Sequence, residues 1–411
     1  MLDLPTSYAA LAYTDWGKKY NSSILYAEAL GNRIIILNSA KDADELLERP
    51  ERAKIYADRP IIPIIDIMGW EINVAIMPYG DQWRRHRRIF QNNFNKKAIQ
   101  NFEPVQTRKV RNLLQGLLGT PERFEAHSKM FSASLTISMM YGYEVKSVDE
   151  PCVTVADEAI MLGTRLLVPG ASLINIIPSL RHVPEWFPGA SSRKMAAKIR
   201  RMTDEVIRFP LDYVKKSFEA GTVVPSLVAD FYEKKHTVGA TQEEEDMIKR
   251  IAYTVYGAAS DTTISFAGSF FYLMAVNTDA QRKAHAEIDR VIGSKRLPTL
   301  ADRESLPYIE AIYREVLRLR PPFPLGVPHS LTEDDYYKGY FIPKASSTVW
   351  LMMASVLSCF KITNSKDKDG NDVKINGDFE DNGLMNHKSK FECAFHPRSS
   401  ASRKLAADSV L

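Results

Sequence analysis

The stretch Asp246 to Asn277, D-M-I-K-R-I-A-Y-T-V-Y-G-A-A-S-D-T-T-I-S-F-A-G-S-F-F-Y-L-M-A-V-N, decides how this sequence is read. It has no proline, and from Ile251 to Val276 its only charged residue is Asp261. Thr241 and Glu244, just upstream, have the spacing of a capping box. Glu243, Glu244, Glu245 and Asp246 fall where the positive pole of a helix favours acids. The pattern predicts a helix roughly 45 Å long at 1.5 Å per residue. Apolar residues occupy every face beyond Ile251, which predicts burial on all sides. Length alone also allows a transmembrane span. Asp261, with Gly257, Ser260, Thr262, Thr263 and Ser265, argues instead for the central helix of a large soluble domain. A carboxylate near the middle of a span costs about 2.5–3.5 kcal/mol.

Composition supports that choice. The 411 residues are 45% hydrophobic and 25% charged, ordinary values for a chain with ample length for a large core. A net charge of +4 is too mild to imply a nucleic-acid partner. Cys152, Cys359 and Cys393 are far apart and form no C-x-x-C, which excludes a disulfide framework or a cysteine zinc site. The N-terminal residues have no basic segment followed by a long apolar run, so neither a signal peptide nor an anchor is expected there.

Around the central stretch the chain reads as mostly α with a minor β part built from its two ends. Ile24 to Leu37 reads as a hairpin turning at Gly31-Asn32, followed by a short helix capped at Asn38 or Ser39. Ile61 to Pro78, broken by prolines, reads as an irregular loop. Tyr79 to Phe90 carries Trp83 and Arg87 four apart on one helix face, with Arg84, Arg85 and Arg88 spread around it. Helical spacing recurs over Ala98–Gln115, Phe124–Tyr141, Lys194–Glu219 and Thr278–Val291. Leu306-Pro307 opens a helix that ends at Pro321-Pro322 and pairs Glu315 with Arg318. Short strands are predicted near His329 and around a Lys338-Gly339 turn. A helix is predicted over Thr348–Phe360, a polar turn over Lys366–Asp372, and a last strand over Phe391–Phe395. No phosphate loop, H-E-x-x-H motif or G-x-S-x-G elbow is present.

Four motifs stand in a fixed order: W-R-R-H-R at Trp83 to Arg87, A-A-S-D-T-T at Ala258 to Thr263, E-V-L-R at Glu315 to Arg318, and P-H-S around His329. With Y-A-D-R-P before residue 60, L-P-Y-I-E-A at Leu306 and G-Y-F-I-P-K at Gly339, they resemble the cytochrome P-450 superfamily of haem-thiolate monooxygenases. The wording is closest to fungal microsomal members and covers nearly the whole chain as one domain, residues 1–411.

The resemblance implies that Asp261 and Thr262 form a buried proton relay, a carboxylate and a hydroxyl serving oxygen activation by general acid catalysis. It implies a haem packed at Ala258, with Trp83, Arg87 and His329 holding a propionate. Glu315 and Arg318 are implied to be a structural pair completed by a later arginine. Ala259 stands where the family usually has glycine. An apolar small-molecule substrate is implied, with an NADPH-dependent reductase whose acidic flavin domain would face Arg84, Arg85 and Arg88. A monomer is expected.

One part of the family pattern does not occur. The iron is held in this family by a cysteine thiolate that favours O–O cleavage. Its loop, F-x-x-G-x-R-x-C-x-G, is nowhere in the sequence, and none of the three cysteines has its flanking glycines and arginine. Family-like wording stops at Lys344 and resumes at Ala345 as the segment just past the ligand cysteine. The expectation is an internally truncated member, a spliced isoform or a misjoined gene model, with impaired activity. The alternative is a non-catalytic remnant that at most binds haem weakly or an apolar ligand. The family's membrane anchor is also not seen in these residues, so a cytoplasmic or peripheral location is expected.

Overall fold

A computed structural model describes residues 5, 7–29, 32–95, 97–168, 171–333, 336–341, 360–381 and 384–407. The predicted helix Thr348–Phe360 and the junction at 344/345 lie outside them. The central helix runs Gln242–Val276, 35 residues and roughly 52 Å. Thr241 caps it by accepting from the Glu244 amide, and Glu244 returns a bond to the Thr241 amide at 2.8 Å.

Two apolar cores share this helix. One is drawn from residues between Ile64 and Tyr256 and includes Ile248, Ile251, Ala252, Tyr253 and Tyr256 of the helix. The other gathers Phe266, Phe270, Phe271 and Met274 against Leu113, Phe124, Ile309, Val316 and Phe395. The helix's apolar surface is therefore divided lengthwise between two cores, and each half of it anchors a different set of neighbours.

Most of its neighbours are helices. Phe124–Tyr141 matches its predicted bounds, and Glu103–Gly119 packs beside it after a 3-10 turn at Ala98–Phe102. Ser191–Glu219 contains Pro210 in its interior. Thr278–Val291 and Pro307–Leu319 follow the expected spans. The Glu287 carboxylate caps the second of these by accepting from the Tyr308 and Ile309 amides at 3.0 Å. Several helices escaped the sequence reading, among them Ala9–Lys19, Pro151–Leu167, which opens on a first-turn proline, Leu227–Thr237, capped by Ser226, and Ser400–Ala407.

Ile61 to Pro78 is not a plain loop. Pro63–Met68 forms a helix, started by Pro63 and ended by Gly69 in the left-handed region at φ 77°. The residues before His329 form no strand; Asp58 and Ser330 make a single bridge.

The β part consists of two-stranded antiparallel sheets. Ile24–Ala29 pairs with Asn32–Leu37, with Ala29 opposite Asn32, so Asn32, read as a turn residue, belongs to the second strand. Tyr336–Tyr337 pairs with Tyr340–Phe341 across Lys338 and Gly339, both at positive φ, as a two-residue hairpin requires. Phe360–Asn364 pairs with Cys393–Pro397, and Phe379–Asp381 with Asn386–Lys388.

Asp42 ties the N-terminal hairpin to the hairpin at Tyr336–Phe341. Fully buried, it accepts from Ser23, Tyr337 and Lys338 at 2.7, 2.8 and 2.6 Å. Burial pushes its carboxyl up, but these three donors outweigh burial and hold it at about 2. Among the described residues no helix is long and apolar enough to cross a membrane.

Candidate functional site

The central helix is not buried on all sides. Ala258 is exposed, and a Cβ placed on Gly257 would meet nothing within 4 Å. The open flank comes where the two cores hand over, and small residues line it. Ser132, from the helix Phe124–Tyr141, braces the opposite side by donating to the Ser260 carbonyl at 2.6 Å.

Asp261 and Thr262 follow this flank. Thr262 Oγ1 donates to the Ala258 carbonyl at 2.7 Å, the local bond open to any helical threonine. Asp261 Oδ2 lies 3.2 Å from Nε2 of His387, a partner the sequence did not suggest. His387 arrives on the hairpin strand Asn386–Lys388. The hairpin is fixed by Ser265, which donates to the Asn386 carbonyl, and by the Asn386 amide bonded to the Pro322 carbonyl at 3.0 Å. Burial pulls the His387 imidazole down, but the Asp261 bond and the Asp261 and Glu380 charges outweigh it, so the net shift is upward. A second ion pair, Lys129 with Asp157, comes from two further helices. Burial pushes the Asp157 carboxyl up; Lys129 opposes this, and the neighbouring Asp261 charge adds to it.

The predicted propionate group is only partly assembled. On the helix Asp81–Phe94, Trp83 is half-buried with its ring 5.3 Å from Tyr79. The Tyr79 amide donates to Asp58 Oδ1 at 2.7 Å, and Asp58 bridges Ser330, next to His329. His329 Nδ1 is 3.1 Å from the Tyr56 carbonyl. Arg59 donates from Nη1 to the Val327 and Pro328 carbonyls at 3.0 and 2.9 Å, and burial lowers it to about 10 against the pull of Asp58. The Y-A-D-R-P wording contained Arg59 without revealing this role. Arg87 points outward, its guanidinium 5.9 Å from the Phe90 ring.

Two of the arginines expected to face a partner are engaged within the chain. Arg84 pairs with Asp81 at 2.6 Å and Arg85 with Glu243 at 2.5 Å. Glu315 and Arg318 form the expected fork at 2.7 and 2.6 Å, yet their side chains are 52% and 67% exposed.

The donor set for a haem iron can be tested directly. Cys152 and Cys393 are buried, and burial pushes their thiols up to about 11 and about 12, so both stay protonated at neutral pH. Cys359 lies outside the described residues. Among the described residues no group of three His, Cys, Asp or Glu side chains could hold a metal. The flank at Gly257 and Ala258 is open and lined by small residues, but the two described cysteines do not fit an iron–thiolate bond.

Comparison with known proteins gives a consistent family signal. The Cytochrome P450 family model matches residues 9–358. A cytochrome P450 monooxygenase of Armillaria gallica is 29% identical over 468 residues, covering 98% of this chain and 91% of that protein. Cytochrome P450 monooxygenase COX2 of Coprinopsis cinerea is 35% identical over 349 residues, 84% of this chain. This chain spans 66% of the Coprinopsis protein's length. Cytochrome P450 monooxygenase 98 of Postia placenta is 30% identical over 467 residues, covering 98% and 89%.

Proposed function

This chain belongs to the cytochrome P450 family, and from that premise we propose that it carries the oxygen-facing half of a monooxygenase site without the thiolate half. Family membership implies a haem cofactor, a hydrophobic substrate and a reductase that supplies electrons. In the complete site, haem supplies the oxygen chemistry. This chain retains the residues that would line and serve it: the open flank at Gly257 and Ala258, the carboxylate of Asp261, and the hydroxyl of Thr262. It is a silent member, impaired as a monooxygenase, rather than a working enzyme for a known substrate.

The observation that carries this reading is the exposed Glu315–Arg318 pair. An ion pair that orders a family's core is wasted on a solvent-facing helix surface, where such pairs contribute little. Its exposure supports the loss of a covering segment, the one that would also bring the ligand cysteine. The alignments support the same reading. About 403 residues, 98% of the 411 here, are spread over 468 aligned positions with the Armillaria protein, so about 65 of its positions have no counterpart in this chain.

Reduction of the purified chain under carbon monoxide tests the proposal. The red-shifted Soret band of thiolate-bound haem is expected to be absent. Its appearance would overturn the reading and assign the ligand to a cysteine of this chain, with Cys359 the first to replace. Sequencing genomic DNA between the codons of Lys344 and Ala345 provides a separate check. A ligand-loop exon there supports a spliced isoform or a misjoined gene; its absence removes both.

A further inference from the structure

Away from the central helix, the start of Ser191–Glu219 forms a cleft of about 450 Å³ with the helix Pro63–Met68 and the 3-10 turn Pro178–His182. Arg181, Arg193, Arg200 and Arg201 line it, and Asp66 is the only carboxylate that does. Four guanidinium groups in one cleft repel one another, and nearby carboxylates offset three of them but not Arg201.

Three of the four are already held in place. Arg181 Nη2 is 2.9 Å from Asp66 Oδ2. Arg193 donates from Nε to the Arg181 carbonyl at 3.1 Å. Arg200 crosses the end of the helix Pro63–Met68 at Gly69, where a Cβ would fall 2.5 Å from its Cδ. The acids outside the cleft touch its rim: Glu185 is 3.9 Å from Arg193, and Glu71 and Asp204 are 3.7 and 3.3 Å from Arg200. Arg201 makes no ion pair with a described residue. The wider sequence has the same bias. Between residues 165 and 201 seven Lys and Arg stand against one acid, Glu185, in a chain with 54 against 50 overall.

We propose that this cleft binds a phosphate group. Planar guanidinium forks match phosphate oxygens two at a time, and fixing the side chains beforehand reduces the entropy lost on binding. The phosphate could be carried by a water-soluble compound or by a phospholipid headgroup. Trp186 is 80% exposed on the segment that joins the 3-10 turn to the long helix, Phe187 beside it is also exposed, and Leu173 and Ile177 are exposed on the stretch that leads into the turn. Such rings and apolar side chains suit a lipid boundary. The site is independent of the haem reading, and its test does not depend on haem.

The test uses the full chain and two probes: calorimetric titration with inorganic pyrophosphate, and co-sedimentation with phosphatidylcholine vesicles with and without phosphatidic acid. The variants are R201E and, as a charge control on the exposed face of Thr278–Val291, K283E. Circular dichroism confirms that each is folded. R201E is expected to weaken pyrophosphate binding at least tenfold while K283E leaves it unchanged. Binding to phosphatidic acid vesicles that R201E abolishes and pyrophosphate competes away assigns the lipid source. Pyrophosphate binding without vesicle binding assigns the soluble source. Either result supports the site. Failure of both probes to bind, or equal weakening by R201E and K283E, overturns it.

Discussion

Replacing Glu245 with glutamine should cost about 2 kcal/mol at neutral pH, a loss that disappears in acid. Glu245 lies in the first turns of the central helix, and its side chain is only 7% exposed. It accepts from Tyr232 at 3.0 Å, pairs with Lys235 and with Lys249 at 3.0 Å, and has Lys215 4.0 Å away. Burial pushes the carboxyl up, but these donors outweigh it and hold it at about 2. A displacement of roughly 2.5 pH units corresponds to about 3 kcal/mol at 1.36 kcal/mol per unit. Lys215 and Lys235 are 46% and 33% exposed, and water screens their share, which brings the figure to about 2 kcal/mol. The sign follows from the direction of the shift. A depressed carboxyl contributes stability above its unfolded value, and that contribution is lost as pH falls through the folded value. Urea unfolding of parent and E245Q at pH 7, 5 and 3 should show a gap that is full at 7, begins to close below about 4.5, and is nearly gone by 2. A gap as wide at pH 3 as at pH 7, or no gap at pH 7, would refute the reasoning.

Three further outcomes can be checked. Gly163→Ala places a methyl 2.2 Å from Trp70 Cη2, in a contact with no room to give. It should destabilise by about 1–3 kcal/mol and shift the Trp70 emission, read by fluorescence-detected unfolding. Asp261→Asn removes the main influence that raises His387, leaving only the Glu380 charge, so the imidazole should titrate lower by NMR, and a His387 titration that does not move would show that the pair is not formed in solution. In the parent a raised histidine contributes stability that is full below its unfolded value and lost as pH rises through its folded value, so amide exchange at 386–388 should quicken on the alkaline side. Glu315→Gln and Arg318→Lys should leave the thermal midpoint unmoved, because both side chains face solvent; a clear drop would mean that a further segment covers them.

The helical frame was legible because its signals are local. The capping box at Thr241, the first-turn proline at Pro307 and the sharp turn at Lys338-Gly339 each act within a few residues. The helix Pro151–Leu167 carries the same first-turn proline, yet the sequence reading assigned no element there. Ile61 to Pro78 was misread because its prolines suggested disruption, whereas Pro63 starts a helix that Gly69 ends. The site was legible only along the chain. The carboxylate and hydroxyl at 261 and 262 announce themselves as polar residues in an apolar helix. Their partners come from far away in sequence: His387 lies 126 residues from Asp261, and Arg59 lies 268 residues from Val327. The open flank at Gly257 and Ala258 was misread for a related reason. Small apolar residues look the same in sequence whether a neighbouring helix covers them or not.

The division of the central helix between two cores bears on the order in which the chain is made. Every residue of the core that spans Ile64 to Tyr256 has been synthesised before Gly257 emerges. That half can close on the ribosome without a residue of the C-terminal third, whereas the core containing Phe395 and Ala406 must wait for the end of translation. A change confined to the later segment therefore reaches a chain whose first half is already folded. Pulse proteolysis of stalled nascent chains should show the early fragment protected while the late core is still open.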